Sequence, residues 1–74
     1  MIQQVAQRIT VSLNGQPRQL TAGTSIADLL TELGLTAKHV AVEVNLELIP
    51  RSLHAERDLA DGDRLEIVTR VGGG

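Results

Sequence analysis

Residues 9–33, ITVSLNGQPRQLTAGTSIADLLTEL, read as two strands and a helix in immediate succession. Ile9, Val11 and Leu13 alternate with Thr10 and Ser12. That period of two is the mark of a strand with one buried face. Asn14-Gly15 follows, and both residues tolerate positive φ, which makes the pair a strong short-range hairpin signal. Gln16–Thr21 is then the return strand, with Leu20 inward. Pro17 has no amide to donate, so this strand belongs at a sheet edge or starts after it. Ala22–Thr24 is a short loop. Thr24 and Ser25 compete for the N-cap of a helix, and Ser25 with Asp28 has capping-box spacing. Ile26, Leu29, Leu30 and Leu33 sit at i, i+3, i+4 and i+7, on one helical face. Gly34 suits the position after the C-cap, with Leu35 supplying the hydrophobic contact that accompanies it. The spacing predicts a short helix over residues 25–33, packed by one stripe against a flat surface.

Further along, Val40, Val42 and Val44 alternate with Ala41, Glu43 and Asn45 in a second clear strand. Leu46–Pro50 reads as a turn with a brief strand around Leu48-Ile49. Arg51–Leu59 has no clean period and is expected to wrap one end of the domain. Asp61-Gly62-Asp63 is a tight turn, and Arg64–Arg70 a final strand. In that strand Leu65 and Ile67 share one face, and Glu66, Val68 and Arg70 the other. A hairpin, a helix and then further strands let the helix cover one face of a mixed sheet. This is the α+β, β-grasp (ubiquitin-like) arrangement. The expected organisation is an N-terminal extension over 1–8, a β-grasp domain over 9–71 and a flexible glycine tail over 72–74.

Composition narrows the function. Seventy-four residues make a single small domain. With 42% hydrophobic and 22% charged residues the chain is globular rather than disordered. It has no aromatic residue and no cysteine. Disulfides, thiol catalysis, cysteine-ligated metals and aromatic stacking on bases are thereby excluded. Seven basic against nine acidic residues give a net charge of −2. That balance argues against nucleic acid or an anionic membrane as partner. The longest uninterrupted apolar run is Val40–Val42, far short of a membrane span, and Met1–Arg8 has no signal-peptide core. A cytoplasmic protein is expected. A domain this short has little room for a deep, water-excluding pocket, which favours a binding or carrier module over an autonomous enzyme.

The C-terminal glycines are the most informative feature. Gly72-Gly73-Gly74 has no side chains to pack and a high entropic cost of ordering. One reading is a frayed end. The other is a thin arm that carries the Gly74 carboxylate through a narrow channel into another protein's active site, along whatever extended path that site imposes.

Directly after a β-grasp final strand, such an arm resembles that of the ubiquitin-like sulfur carrier proteins, most closely the thiamine-biosynthesis ThiS family. The resemblance is carried by Asn14-Gly15, the helix Ser25–Leu33, Val40–Asn45 leading to Ile49-Pro50-Arg51, Asp61-Gly62-Asp63, and Glu66-Ile67-Val68 ending in Val71-Gly72-Gly73-Gly74. It covers residues 9–74. Two features depart from it: Met1–Arg8 precedes the first strand, and His54 stands where the family often has an aromatic residue. The resemblance implies that Gly74 is the reacting group. Its carboxylate would be adenylated by an E1-like adenylyltransferase (ThiF) at the expense of ATP. A persulfide sulfur from a cysteine desulfurase would then make it a thiocarboxylate. Thiazole synthase (ThiG) would take the sulfur for the thiazole of thiamine. In that scheme the chain is a protein co-substrate, not an enzyme, and binds no permanent cofactor. Gly72 and Gly73 form the tether. Val68, Arg70 and Val71 are candidate partner contacts on and beyond the open sheet face, with Ala41 and Glu43 beside them.

Other polar residues read as structural. His39 and His54 lack paired ligand spacing, so no metal site is expected. Asp61 and Asp63 shape a turn, and Thr24 and Ser25 are caps without a neighbouring base. Two other functions remain open at this point. One is the small subunit of molybdopterin synthase, with the same fold and chemistry but a different acceptor. The other is a ubiquitin-like or TGS-type binding module with an inert tail.

Overall fold

A computed structural model describes residues 7–70. It contains one α-helix and a five-stranded mixed sheet. The strands are β1 (Arg8–Leu13), β2 (Gln16–Thr21), β3 (Val40–Val44), β4 (Glu47–Leu48) and β5 (Arg64–Thr69), and the helix is α1 (Ile26–Glu32). The sheet order is β2-β1-β5-β3-β4. β5 pairs parallel with β1 and antiparallel with β3, so the last strand in sequence is the middle strand in space. This is the β-grasp arrangement expected from the order of elements.

The first hairpin forms as its sequence dictates. Asn14 and Gly15 take φ of 49° and 85°, which joins β1 to β2 through a two-residue turn of the type matched to strand twist. β1 begins at Arg8, opposite Thr21, one residue ahead of the alternating run. β2 keeps Pro17 within it and lies at the sheet edge, where a missing donor costs no ladder bond.

Ser25 wins the N-cap. Its hydroxyl accepts from the Asp28 amide at 3.0 Å, and the Asp28 carboxylate accepts from the Ser25 amide at 3.0 Å, a complete capping box. Thr24 instead donates its hydroxyl to the Thr21 carbonyl at 2.6 Å, closing the loop ahead of the helix. At the other end Leu35 N–H bonds the Leu30 carbonyl and Gly34 N–H the Thr31 carbonyl, with Gly34 at φ 73°. That pair of bonds is the Schellman stop, and it places Leu35 against the core.

Ile26, Leu29 and Leu30 of α1 pack on Val11, Leu20, Val42, Val44, Leu65 and Ile67 of the sheet, with Leu33 partly buried beside them. Ile49 and Leu59 complete the core from the chain between β4 and β5. That segment makes a 3-10 turn at Arg51–Leu53, then bridges back through Ser25 and Asp58. His54 is buried in it, at 3% exposure. Its Nε2 lies 3.0 Å from the Ile49 carbonyl, which can only accept, so Nε2 carries the proton.

Two asparagines do more than their turns require. Beyond Leu13 the chain leaves the sheet, and backbone pairing of β1 with β5 ends at Leu65. The Asn14 side chain takes over. Its Oδ1 accepts from the Ile67 amide at 2.7 Å and its Nδ2 donates to the Ile67 carbonyl at 3.1 Å. Asn45, at φ 53°, does the same at the start of β5. Its Oδ1 accepts from the Arg64 amide at 2.9 Å, and its Nδ2 donates to Asp63 Oδ1 at 3.0 Å. Leu46 follows Asn45 at φ 71° and is 78% exposed. A branched side chain is strained in that left-handed region.

Two stability measurements check this account. Asn14→Gly keeps the positive φ but removes both side-chain bonds to Ile67, and urea unfolding should show a loss of about 1–2 kcal/mol. An unchanged midpoint would mean that the amide does not hold β5. Leu46→Gly relieves strain at an exposed position, and the same measurement should show a gain of about 1 kcal/mol.

Candidate functional site

The C-terminal arm is only as well placed as the strand that carries it. β5 is held on both sides at its start, by β1 at Ser12 and Leu13 and by β3 at Val44. Past Leu65 it keeps its β3 neighbour as far as the Val40–Thr69 pair. One further bond, from the Arg70 amide to the His39 carbonyl at 2.6 Å, extends the ladder to the last described residue. Val71, Gly72, Gly73 and Gly74 lie outside the described residues. The backbone is therefore anchored up to the residue before them.

The open face of the sheet is set by strand alternation. With Leu65 and Ile67 buried under α1, Glu66 and Val68 point the other way, and Val68 is 60% exposed. Ala41 stands opposite Val68, and Glu43 opposite Glu66. Leu48 of β4 pairs with Glu43 on the same face and is also 60% exposed. The face thus carries two separated apolar side chains around a facing pair of carboxylates. Like charges directly opposite on neighbouring strands repel. Arg70, the other candidate contact among the described residues, is exposed at the end of β5. Glu66 and Leu48 did not figure among the contacts expected from sequence. Glu66 was placed on the correct face, but cross-strand register, which local periodicity does not contain, is what sets it against Glu43.

The carboxylates of the Asp61-Gly62-Asp63 turn are engaged locally. Asp61 Oδ1 accepts from the Thr10 amide at 2.7 Å, and Asp63 Oδ2 from the Ala60 amide at 2.8 Å. They close the turn and start β5. His39 is exposed and His54 buried. Among the described residues no group of three or more His, Cys, Asp or Glu is placed to hold a metal.

The sequence model of the ThiS family matches residues 11–74. The chain belongs to the ThiS family. It is 41% identical over 64 residues to the sulfur carrier protein ThiS of Thermus thermophilus, covering 86% of this chain and 98% of that protein. It is 47% identical over 62 residues to a thiazole synthase of Paramagnetospirillum magneticum, covering 84% of this chain. The chain spans only 19% of the length of that enzyme. In structure it is similar to the crystal structure of the thiamine biosynthesis protein ThiS from Geobacter metallireducens. There the TM-score is 0.74 at 29% identity, over 89% of this chain and all of that one. The family model takes in the terminal glycines together with β5, so family membership rests on fold and arm together.

The facing carboxylates give a test of the register. Glu66→Lys replaces repulsion with an opposite-charge pair, and thermal or urea unfolding should show a gain of about 0.2–1 kcal/mol. No gain, or a loss, would show that the two side chains do not meet.

Proposed function

We propose that this chain is a sulfur carrier for thiamine biosynthesis whose reacting group is the Gly74 carboxylate. A carboxylate is a poor electrophile, because its charge repels nucleophiles and oxide is a poor leaving group. In the proposed sequence a carboxylate oxygen attacks the α-phosphorus of ATP, the bond to pyrophosphate breaks, and an acyl adenylate forms. A persulfide sulfur then attacks the acyl carbon and AMP leaves. Cleavage of the sulfur–sulfur bond by a thiol leaves a thiocarboxylate on Gly74 and a disulfide on the thiol's side. An E1-like adenylyltransferase (ThiF) supplies the adenylation site, a cysteine desulfurase the sulfur, and thiazole synthase (ThiG) the acceptor. ATP is bound and used by the adenylyltransferase. The chain itself catalyses nothing; it brings the terminus and a surface by which partners hold it, and works in the cytoplasm.

The observation that carries this reading is the ThiS family match running through Gly74. It is supported by a relative named a sulfur carrier over nearly its whole length. A second support is a relative named thiazole synthase that contains a segment similar to this chain, which puts carrier-like and acceptor sequences in one polypeptide. These names favour the thiamine branch over molybdopterin synthase and over a binding module with an inert tail. In the structure, the ladder reaches Arg70 and so gives the arm a fixed base. A fixed base confines any ordering cost on docking to the residues beyond Arg70, on the order of 1–2 kcal/mol for each residue that must be ordered. Val68, Arg70 and Val71 serve as partner contacts in this reading, with Gly72 and Gly73 threading the channel.

The experiment is intact-mass measurement after incubation with the adenylyltransferase, ATP and a sulfur source. The full chain should gain the mass of one oxygen-for-sulfur exchange at Gly74, and a chain lacking Gly73-Gly74 should gain nothing. An unmodified full chain beside an active enzyme would end the proposal. Val68→Asp, at an exposed position, should leave unfolding within about 0.5 kcal/mol of wild type while weakening adenylation.

A further inference from the structure

Beside the base of the arm is a concavity of about 210 Å³ that shares only Arg70 with the partner contacts proposed above. Val42, Leu48 and Ile49 contribute apolar lining, and Lys38, Arg51 and Arg70 line it with positive charge. The three cations come from three separate parts of the chain: the 3-10 turn Ala37–His39, the 3-10 turn Arg51–Leu53, and the end of β5. All three are exposed. Of the seven basic residues in the chain three line this cleft, and of the nine acidic residues none does. The chain as a whole is negative, at −2. The cleft is thus a local reversal of the protein's charge, produced by the fold. A second concavity shares Val40 and Arg70 with it and adds His39, again with no acidic lining residue.

We propose that this cleft is a docking site for an acidic segment of the protein that adenylates the chain. The segment rests one apolar side chain on Leu48 and Pro50, the exposed apolar part of the lining, and sets its carboxylates against Lys38, Arg51 and Arg70. The inference rests on the sulfur-carrier reading and adds to it a second contact surface, which adjoins the Val68 face at Leu48 and Arg70. Two features select this occupant. The exposed apolar lining, Leu48 and Pro50, offers contact to a side chain and none to a bare phosphate, which the three cations alone do not tell from a carboxylate. A cationic rim steers and orients an acidic partner and rejects a basic one. Arg70 belongs both to this cleft and to the base of the arm. A segment held here therefore grips the last described residue before the arm.

The test is the kinetics of adenylation by the adenylyltransferase at low ionic strength, with this chain as the varied substrate. Lys38→Glu/Arg51→Glu should raise KM by about tenfold or more while kcat stays within about twofold, and should weaken the dependence of KM on salt. Lys38→Gln/Arg51→Gln should shift KM the same way by less. Arg8→Glu/Arg57→Glu, with the same change in net charge away from the cleft, should leave KM unchanged. A KM indifferent to Lys38 and Arg51, or an equal rise in the Arg8/Arg57 control, overturns the docking site. Amide-resolved NMR of the wild-type chain with millimolar inorganic phosphate should show no shifts at Lys38 and Arg51. Shifts there would make the cleft a free-anion site and also overturn the proposal. No adenylation of the wild-type chain would instead sink the sulfur-carrier reading itself, whereas adenylation indifferent to Lys38 and Arg51 sinks only the docking site.

Discussion

The placement of β5 between β1 and β3 is the constraint on which the rest depends. A C-terminal strand is ordinarily the easiest to fray, since nothing follows it to hold it down. Here it is the central strand, hydrogen-bonded on both sides at its start and buried through Leu65 and Ile67 under α1. Removing it would split the sheet in two. Whatever follows Arg70 therefore continues a strand rooted in the centre of the sheet.

That placement demands particular polar side chains. A parallel partner that turns away leaves backbone groups of the central strand without a mate, and buried unpaired groups are costly. Asn14 meets the demand at Ile67, and Asn45, just beyond the antiparallel neighbour β3, bonds the exposed Arg64 amide and Asp63 on the other side of the strand. Each asparagine also occupies a left-handed turn position that few other residues accept. One residue type thus satisfies a local backbone requirement and a long-range one at the same point. The strain at Leu46 shows the contrast: there the second turn position is filled by a residue with no such conformational advantage.

Division of labour between the two sheet faces follows from the same arrangement. Alternation commits Leu65 and Ile67 to the core, and so commits Glu66 and Val68 to the open face. Apolar Val68 and Leu48, the facing Glu43 and Glu66, and the cationic cleft at Lys38, Arg51 and Arg70 are three chemically different surfaces within one small domain.

Much of this was legible in the sequence, because it is local. The Asn14-Gly15 turn, the Ser25/Asp28 capping box, the Gly34 stop, the edge position of Pro17 and the two-faced strands follow from backbone sterics and from periods of 2 and 3.6, which a linear chain displays directly. The glycine arm and the family resemblance were likewise visible in residue order alone. Tertiary structure decided what depends on distance between segments. It set Glu43 against Glu66, sent the Asn14 amide to Ile67 across 53 residues, buried His54 against Ile49, and gathered Lys38, Arg51 and Arg70 at one cleft. Those contacts arise from strand order and register, which are properties of the whole sheet and are encoded in no single stretch of it.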